Sequence, residues 1–330
     1  MMSRSTSWFP RNIQRTIIVA IVLSLCPLLL WYSLNNEADL LSALRDRCSI
    51  SKSPLTRTHS YLNLNNLNST THGRESGEHI LVLTVLDHSE DYLDKYFNLL
   101  DATEYPNKLI SVGLLLSDSS EESMKKVSER VQTLQARWKH KFFEIDVFQK
   151  DFQLDTKIDD ISLGLESKRA TIAKSKNFLL TAALREHHSW VVWIDVKLHS
   201  YPATIFSDLM LADADVIVPN CLQFREDGEF WAYDRNNWQE SDLSLKKQKD
   251  LDASQVMMED MPTKKGMEYK VPLDGVGTTF TMVKATVHRE GAIFPPFVYQ
   301  HHLDNEGFAK MAKSMGFSVY GIPGYVIYHY

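Results

Sequence analysis

Cysteine is nearly missing from this sequence: Cys26, Cys48 and Cys221 are all it has in 330 residues. Three thiols so far apart make neither a disulfide framework nor a metal-ligand set, which leaves Cys48 at most a candidate for pairing between chains. An excess of positive charge is missing too. The 36 basic and 42 acidic side chains leave a formal net charge of −6, which speaks against a nucleic-acid partner. No repeat at a fixed period is visible. A phosphate-binding glycine loop is absent as well. The stretch "LDGVGTTFTMVK" (273–284) sets two glycines after Asp274 without that spacing, so it signals only a close backbone approach. The last absence is a carboxylate. In "WVVWIDVKLHS" (190–200) an apolar run ends in Asp195, and two residues later, where a metal-binding pair would place a second acid, stands Lys197.

Charge is also absent from residues 16–34, "TIIVAIVLSLCPLLLWYSL". At ~1.5 Å per residue such a helix spans roughly 28 Å, close to the hydrocarbon core of a bilayer. Arg4, Arg11 and Arg15 precede it, while Glu37 and Asp39 follow it. The arginines place residues 1–15 in the cytoplasm and translocate the bulk of the chain. The run is longer than a signal-peptide core and no small-x-small cleavage site follows it, so a single-pass signal anchor is expected. The sequon at Asn68 agrees with a translocated chain. Residues 35–77 are polar and aperiodic and read as a stem.

From residue 78 the texture changes. Apolar runs "HILVLTVL" (79–86), "LISVGLLLSD" (109–118), "FFEIDVFQ" (142–149), "SWVVWIDV" (189–196) and "DVIVPNCL" (215–222) have strand length. Their continuity predicts strands buried on both faces. Helical patterns separate them. One opens on a capping box at Ser119 and Glu122, with Met124, Val127, Val131, Leu134 and Trp138 as its apolar stripe. Another covers 166–184, with Ala170, Ala173, Phe178, Leu180 and Leu184 apolar. The alternation predicts an α/β fold with a doubly wound, mostly parallel sheet and one domain over 78–330. Residues 225–268 read as a polar loop or insertion.

Such sheets bind ligands at the carboxyl ends of their strands, where Asp118 and Asp195 fall. Asp195 alone fits a strand-end turn or a metal ligand. On the helix, Arg169 and Lys176 share a face away from the stripe, suited to phosphate or simply to solvent. Glu306, at the start of a helix carrying Phe308, Met311, Ala312 and Met315, fits a catalytic or acceptor-binding carboxylate, or a complement to the helix dipole. His329 ends a C-terminal apolar strand and reads as a ligand or as a structural residue.

The order of the blocks carries more than any one of them. "ILVLTVLDHSEDYLDKYFNLL", "YPNKLISVGLLLSDSS", "VFQKDF", "RATIAKSKNFLLTAALREHHSWVVWIDV", "ADVIVPN", "LDGVGTTFTMVKATVHREGAIFPPF" and "NEGFAKMAKSMGFSVYGIPGYVIYHY" occur in sequence. Together they resemble the fungal mannan polymerase subunits, Golgi α-mannosyltransferases of glycosyltransferase family 62. The resemblance implies a GT-A-like fold, GDP-mannose as donor and Mn2+ as cofactor. It also implies retaining transfer onto α-1,6-linked mannan of N-linked glycans, and work within a hetero-oligomer of related subunits. The location it implies is a Golgi membrane, with the C-terminal domain in the lumen. By the same resemblance Asp195 is the first carboxylate of an Asp-x-Asp motif and His329 its partner on the metal. Asp118, Arg169 and Lys176 fall near the donor, Thr84 at the nucleotide, and Asp274 and Glu306 near the reacting sugar. Two positions depart from the pattern. Lys197 replaces the second carboxylate, and Ile194 stands where the family tends to carry arginine. The resemblance thus admits two roles, an active transferase with an altered site or a non-catalytic scaffold or acceptor-binding subunit.

Overall fold

The computed structural model describes residues 63–87, 89–117, 120–152, 161–224, 231–240 and 255–330. The expected tail, the 16–34 span, Cys48 and Asp118 lie outside the described residues. Among the described residues no helix is long and apolar enough to cross a membrane.

The continuous apolar runs form the middle of one sheet. Strands β1 (His79–Leu86), β2 (Ile110–Leu116) and β4 (His188–Ile194) are buried at almost every position. An apolar strand of this kind leaves neither face to water, so both must be covered by helices. With β3 (Glu144–Gln149) at the edge, they pair in parallel in the order β3–β2–β1–β4. Alternate side chains enter two cores. Ile80, Val82 and Leu86 pack on one face with Tyr96, Phe97 and Leu100 of helix 93–101 and with Val127 and Leu134. Leu81 and Leu83 pack on the other face with Ala173, Leu179, Phe308 and Ala312.

Beyond β4 the sheet departs from the expected mostly parallel form and is mixed. After β5 (Leu198–Ser200) come β6 (Val216–Gln223), β7 (Trp231–Ala232), the separate pair β8 (Trp238–Glu240) and β9 (Gln255–Met257), β10 (Val271–Pro272), β11 (Phe280–Lys284) and β12 (Val319–His329). Strand β11 runs antiparallel to both β4 and β6, while β12 lies parallel to β6. The reason is local. Phe280 pairs with Ile194, so β11 starts where β4 ends and has only the return direction open to it. The carboxyl ends of β1, β2, β4, β6 and β12 consequently share one edge.

Among the described residues the α-helices are numbered in chain order: α1 (Gly73–Ser76), α2 (Leu93–Asp101), α3 (Glu121–Gln135), α4 (Ile161–Ala183), α5 (Ile205–Leu211), α6 (Ala285–Arg289) and α7 (Asp304–Ser314). The cap of α3 is Ser120, whose hydroxyl accepts from the Ser123 amide at 3.2 Å, one residue later than expected. Trp138 is 94% exposed rather than part of the stripe, because α3 ends at Gln135 and its periodicity ends with it. Ser69 and Thr70, expected in the stem, are tied to the sheet domain. The Ser69 hydroxyl donates to the Ser189 carbonyl, and buried Glu78 accepts from the Thr70 amide and hydroxyl and from the Trp190 indole. Asn68 is exposed beside them.

Candidate active site

Asp195 is the first residue past β4, and its amide donates to the Thr279 carbonyl at 2.9 Å. One carboxylate oxygen, Oδ1, accepts from the Lys197 amide at 2.9 Å, while Oδ2 faces His329 Nε2 at 3.5 Å. His329 is the last residue of β12 and is buried. Its Nδ1 lies 2.8 Å from the Tyr330 carbonyl, which can only accept, so Nδ1 carries a proton. That buried Nε2 has no hydrogen-bond partner. A buried imidazole nitrogen facing a carboxylate oxygen calls for something positive between them, either a proton on Nε2 or a cation. Burial pushes the Asp195 carboxyl up, but His329, the Lys197 amide and the Lys197 ammonium outweigh it and hold the group below its ordinary value. The donor set fits a divalent cation: a carboxylate oxygen and an imidazole nitrogen, with the other ring nitrogen fixed by a carbonyl. Among the described residues no third His, Cys, Asp or Glu joins this pair in a cluster. Lys197 is half-buried at the same edge, with Nζ 5.7 Å from the centre of the Tyr92 ring.

A second network lies beside the first, where α4 meets α7. Arg169 donates to Glu306 Oε2 at 2.5 Å and to the Leu303 carbonyl at 3.3 Å. The Trp238 indole donates to Glu306 Oε1 at 3.0 Å, and His302 Nδ1 lies 3.9 Å from Oε2. Burial pushes the Glu306 carboxyl up, yet His302, Arg169 and Trp238 more than offset it and bring it down to about 2. Glu306 is therefore ionised across the physiological range and can accept a hydrogen bond but cannot act as an acid. Lys176 points to Asp304 at 3.0 and 3.1 Å and also donates to Asn305. Asp274 accepts from the Glu240 amide at 2.8 Å and pairs with Lys313, with Lys310 3.9 Å away. The structure thus brings Arg169, Lys176, Asp274 and Glu306 together and turns the polar face of α4 inward.

Segment 273–279 is the seam between the two networks. Asp274 meets the backbone of Trp238, the Thr278 hydroxyl donates to Asn305 at 3.3 Å, and Thr279 holds Asp195. Its glycines do make close approaches. A Cβ on Gly275 would fall 2.4 Å from the Trp238 indole nitrogen, and one on Gly277 would fall 1.7 Å from Asp234 Oδ2. Thr84 sits further in, 1% exposed, donating to the Ile194 carbonyl at 2.8 Å and 2.9 Å from the Tyr96 hydroxyl. Its hydroxyl ties β1 to the end of β4 rather than facing open space. Sequence reasoning missed Tyr233, Asp234, Trp238 and His302. The one available signal was "FWAYDRNNW" (230–238), an aromatic-rich stretch inside the region read as a polar loop.

A different cluster stands at the opposite, amino edge. Glu144 Oε1 lies 3.9 Å from His187 Nε2 and 3.8 Å from His188 Nε2. His188 Nδ1 accepts from the Arg185 amide at 3.0 Å, so its Nε2 carries the proton and meets the Ser111 hydroxyl at 2.9 Å. Burial and neighbouring positive charge push this imidazole down to about 3. A metal there would have to strip Nε2 to an imidazolate, so the cluster is not a metal centre.

The carboxyl edge of the sheet, where open α/β sheets bind ligands, thus carries a carboxylate–imidazole pair suited to a cation. The chain belongs to the Anp1 family, whose profile matches residues 58–298. It is 34% identical over 277 residues to the mannan polymerase II complex anp1 subunit of Schizosaccharomyces pombe, covering 76% of this chain and 64% of that one. It is 33% identical over 291 residues to the mannan polymerase II complex ANP1 subunit of Saccharomyces cerevisiae, covering 82% of this chain and 58% of that one. The chain therefore spans about three-fifths of the length of these relatives, 64% and 58%. Among solved structures it is similar to the mannosyltransferase PcManGT from Pyrobaculum calidifontis in complex with GDP-Man and Mn2+. That likeness has 13% identity and a TM-score of 0.47, covering 90% of this chain and 66% of that one.

Proposed function

We propose that the chain is a Golgi α-mannosyltransferase of GT-A-like fold, working as one subunit of a mannan polymerase-type complex. In this reading it transfers mannose from GDP-mannose to α-1,6-linked mannan chains of N-linked glycans, from a lumenal domain behind an N-terminal anchor. Family membership supports the reading, as do the names its relatives carry. The observation that carries it is the buried, unpartnered Nε2 of His329 facing Asp195.

Asp195 and His329 would hold Mn2+. When bound, the ion supplies positive charge for the departing diphosphate. Lys197 adds an ammonium at the same edge, in place of the acid that would otherwise share the ion. Arg169 and Asp118 serve the donor end, whereas Lys176 commits its ammonium to Asp304 and Asn305 and fixes the start of α7. Thr84 acts from behind by holding the last carbonyl of β4, one residue before Asp195. Glu306, kept ionised, orients an acceptor hydroxyl by accepting its hydrogen bond, and Asp274 braces the far side of Trp238. Asp195→Asn removes the anionic ligand of the pair and should lose most of the transfer.

A second reading, a non-catalytic subunit that scaffolds the complex or binds acceptor, draws on one feature. Both candidate carboxylates near the reacting sugar, Asp274 and Glu306, are already closed on lysine or arginine. The deciding experiment measures mannose transfer from GDP-mannose by the full chain, with and without Mn2+, for the wild type, Asp195→Asn and Lys197→Asp. Transfer by the wild type that is lost in Asp195→Asn supports the enzyme. An inert wild type made active by Lys197→Asp supports the scaffold.

A further inference from the structure

We propose that Tyr233 and Asp234 form a positioning clamp that sets both members of the Asp195–His329 pair toward a shared cation. The inference rests on the reading that this pair holds one.

Each arm of the clamp reaches one member. The Tyr233 ring lies flat on the His329 ring, with centroids 3.6 Å apart and planes 11° from parallel. Such a stack fixes the plane of the imidazole, and the Nδ1 contact with the Tyr330 carbonyl fixes its rotation. Together they leave Nε2 aimed at Asp195. Asp234 reaches the carboxylate through one intermediary. Its Oδ2 accepts from the Thr279 hydroxyl at 2.7 Å and faces the Thr279 amide at 3.4 Å. The carbonyl of that same Thr279 accepts the Asp195 amide at 2.9 Å. Moving Asp234 would move Thr279, and with it the backbone from which the Asp195 carboxylate projects.

The clamp is itself anchored. The Tyr233 and Asp234 amides both point to the Cys221 carbonyl, at 3.1 and 3.4 Å, and β7 pairs with the end of β6 just before them. Asn236 donates its amide and side chain to Asp234 Oδ1 at 3.3 and 3.0 Å. Gly277 supplies the room: a Cβ there would overlap Asp234 Oδ2, and its amide is held by Asn237 Oδ1 at 2.8 Å. This gives the second glycine of "DGVG" its purpose. Groups that orient metal ligands from behind typically matter ~10–100-fold in metal affinity.

The test is Mn2+ binding by the full chain in the presence of GDP, followed by the electron paramagnetic resonance of free Mn2+, a readout independent of transfer. Tyr233 is 39% exposed, so its truncation leaves the core intact, and circular dichroism melting checks this. Tyr233→Ala should weaken Mn2+ binding by ~10–100-fold, and Tyr233→Phe, which keeps the stack, should bind as the wild type does. Thr279→Val, which removes the hydroxyl that Asp234 holds, should weaken binding without touching the stack. Unchanged affinity in Tyr233→Ala would overturn the imidazole arm, and unchanged affinity in Thr279→Val the carboxylate arm. A wild type that binds no Mn2+ would overturn the cation role of the pair itself.

Discussion

Lys176 offers the sharpest test of how the charged network is built. Its ammonium touches both Asp304 oxygens, at 3.0 and 3.1 Å, and Asn305, and it lies 4.9 Å from the centre of the Phe294 ring. The side chains of Lys176 and Asp304 are each 8% exposed, so water compensates little if one charge is removed. Lys176→Met keeps the length of the side chain and strands the carboxylate. Breaking a buried pair in this way costs ~3–5 kcal/mol, a large part of the ~5–15 kcal/mol that stabilises a typical domain. Asp304 has φ +51°, a left-handed conformation that asparagine tolerates, so Asp304→Asn adds little backbone strain. The double variant removes both charges and should recover ~1–3 kcal/mol of the loss. Urea unfolding of the four proteins, followed by tryptophan fluorescence at neutral pH, gives the coupling energy. A coupling under about 0.5 kcal/mol would refute the buried pair. All three ammonium donors face acceptors here, so GDP affinity measured below the melting range should be unchanged in Lys176→Met. A clear loss would instead put Lys176 on the phosphate.

Glu306 should make stability depend on acid. Its carboxyl is held at about 2 against an ordinary 4.5, so its contribution is complete above 4.5 and disappears as pH falls through about 2. That difference corresponds to an upper bound on the order of 3 kcal/mol. Urea titrations across this window should show the wild type losing stability more steeply than Glu306→Gln, and parallel curves would contradict the assignment. Trp138→Ser should leave the unfolding free energy within about 0.5 kcal/mol, because the ring is almost wholly in solvent. A larger loss in the isolated chain would mean that the indole packs.

Much of the frame was legible because apolar continuity is a local property. Strands 79–86 and 110–116 read directly from runs whose burial on both faces nothing else explains. The ordered blocks also pointed to the family that the comparison confirms. Strand direction was not legible, because an apolar run reads the same whether it enters the sheet from one edge or the other. Only the pairing of Phe280 with Ile194 makes β11 antiparallel. The polar face of α4 was equally ambiguous: Arg169 and Lys176 have the spacing of a solvated surface, and it takes α7, more than a hundred residues later, to turn them inward. Trp138 erred the other way, since helical spacing persists in the sequence after the helix has ended. At Asp195 the division is plainest. By itself the sequence determined that an aspartate ends a buried strand, with a lysine where a second acid would stand. Tertiary structure alone decided that His329 and the carbonyl of Thr279 meet that aspartate, with Tyr233 stacked behind the imidazole. The four come from separate parts of the chain, and only packing of the sheet's carboxyl edge brings them together.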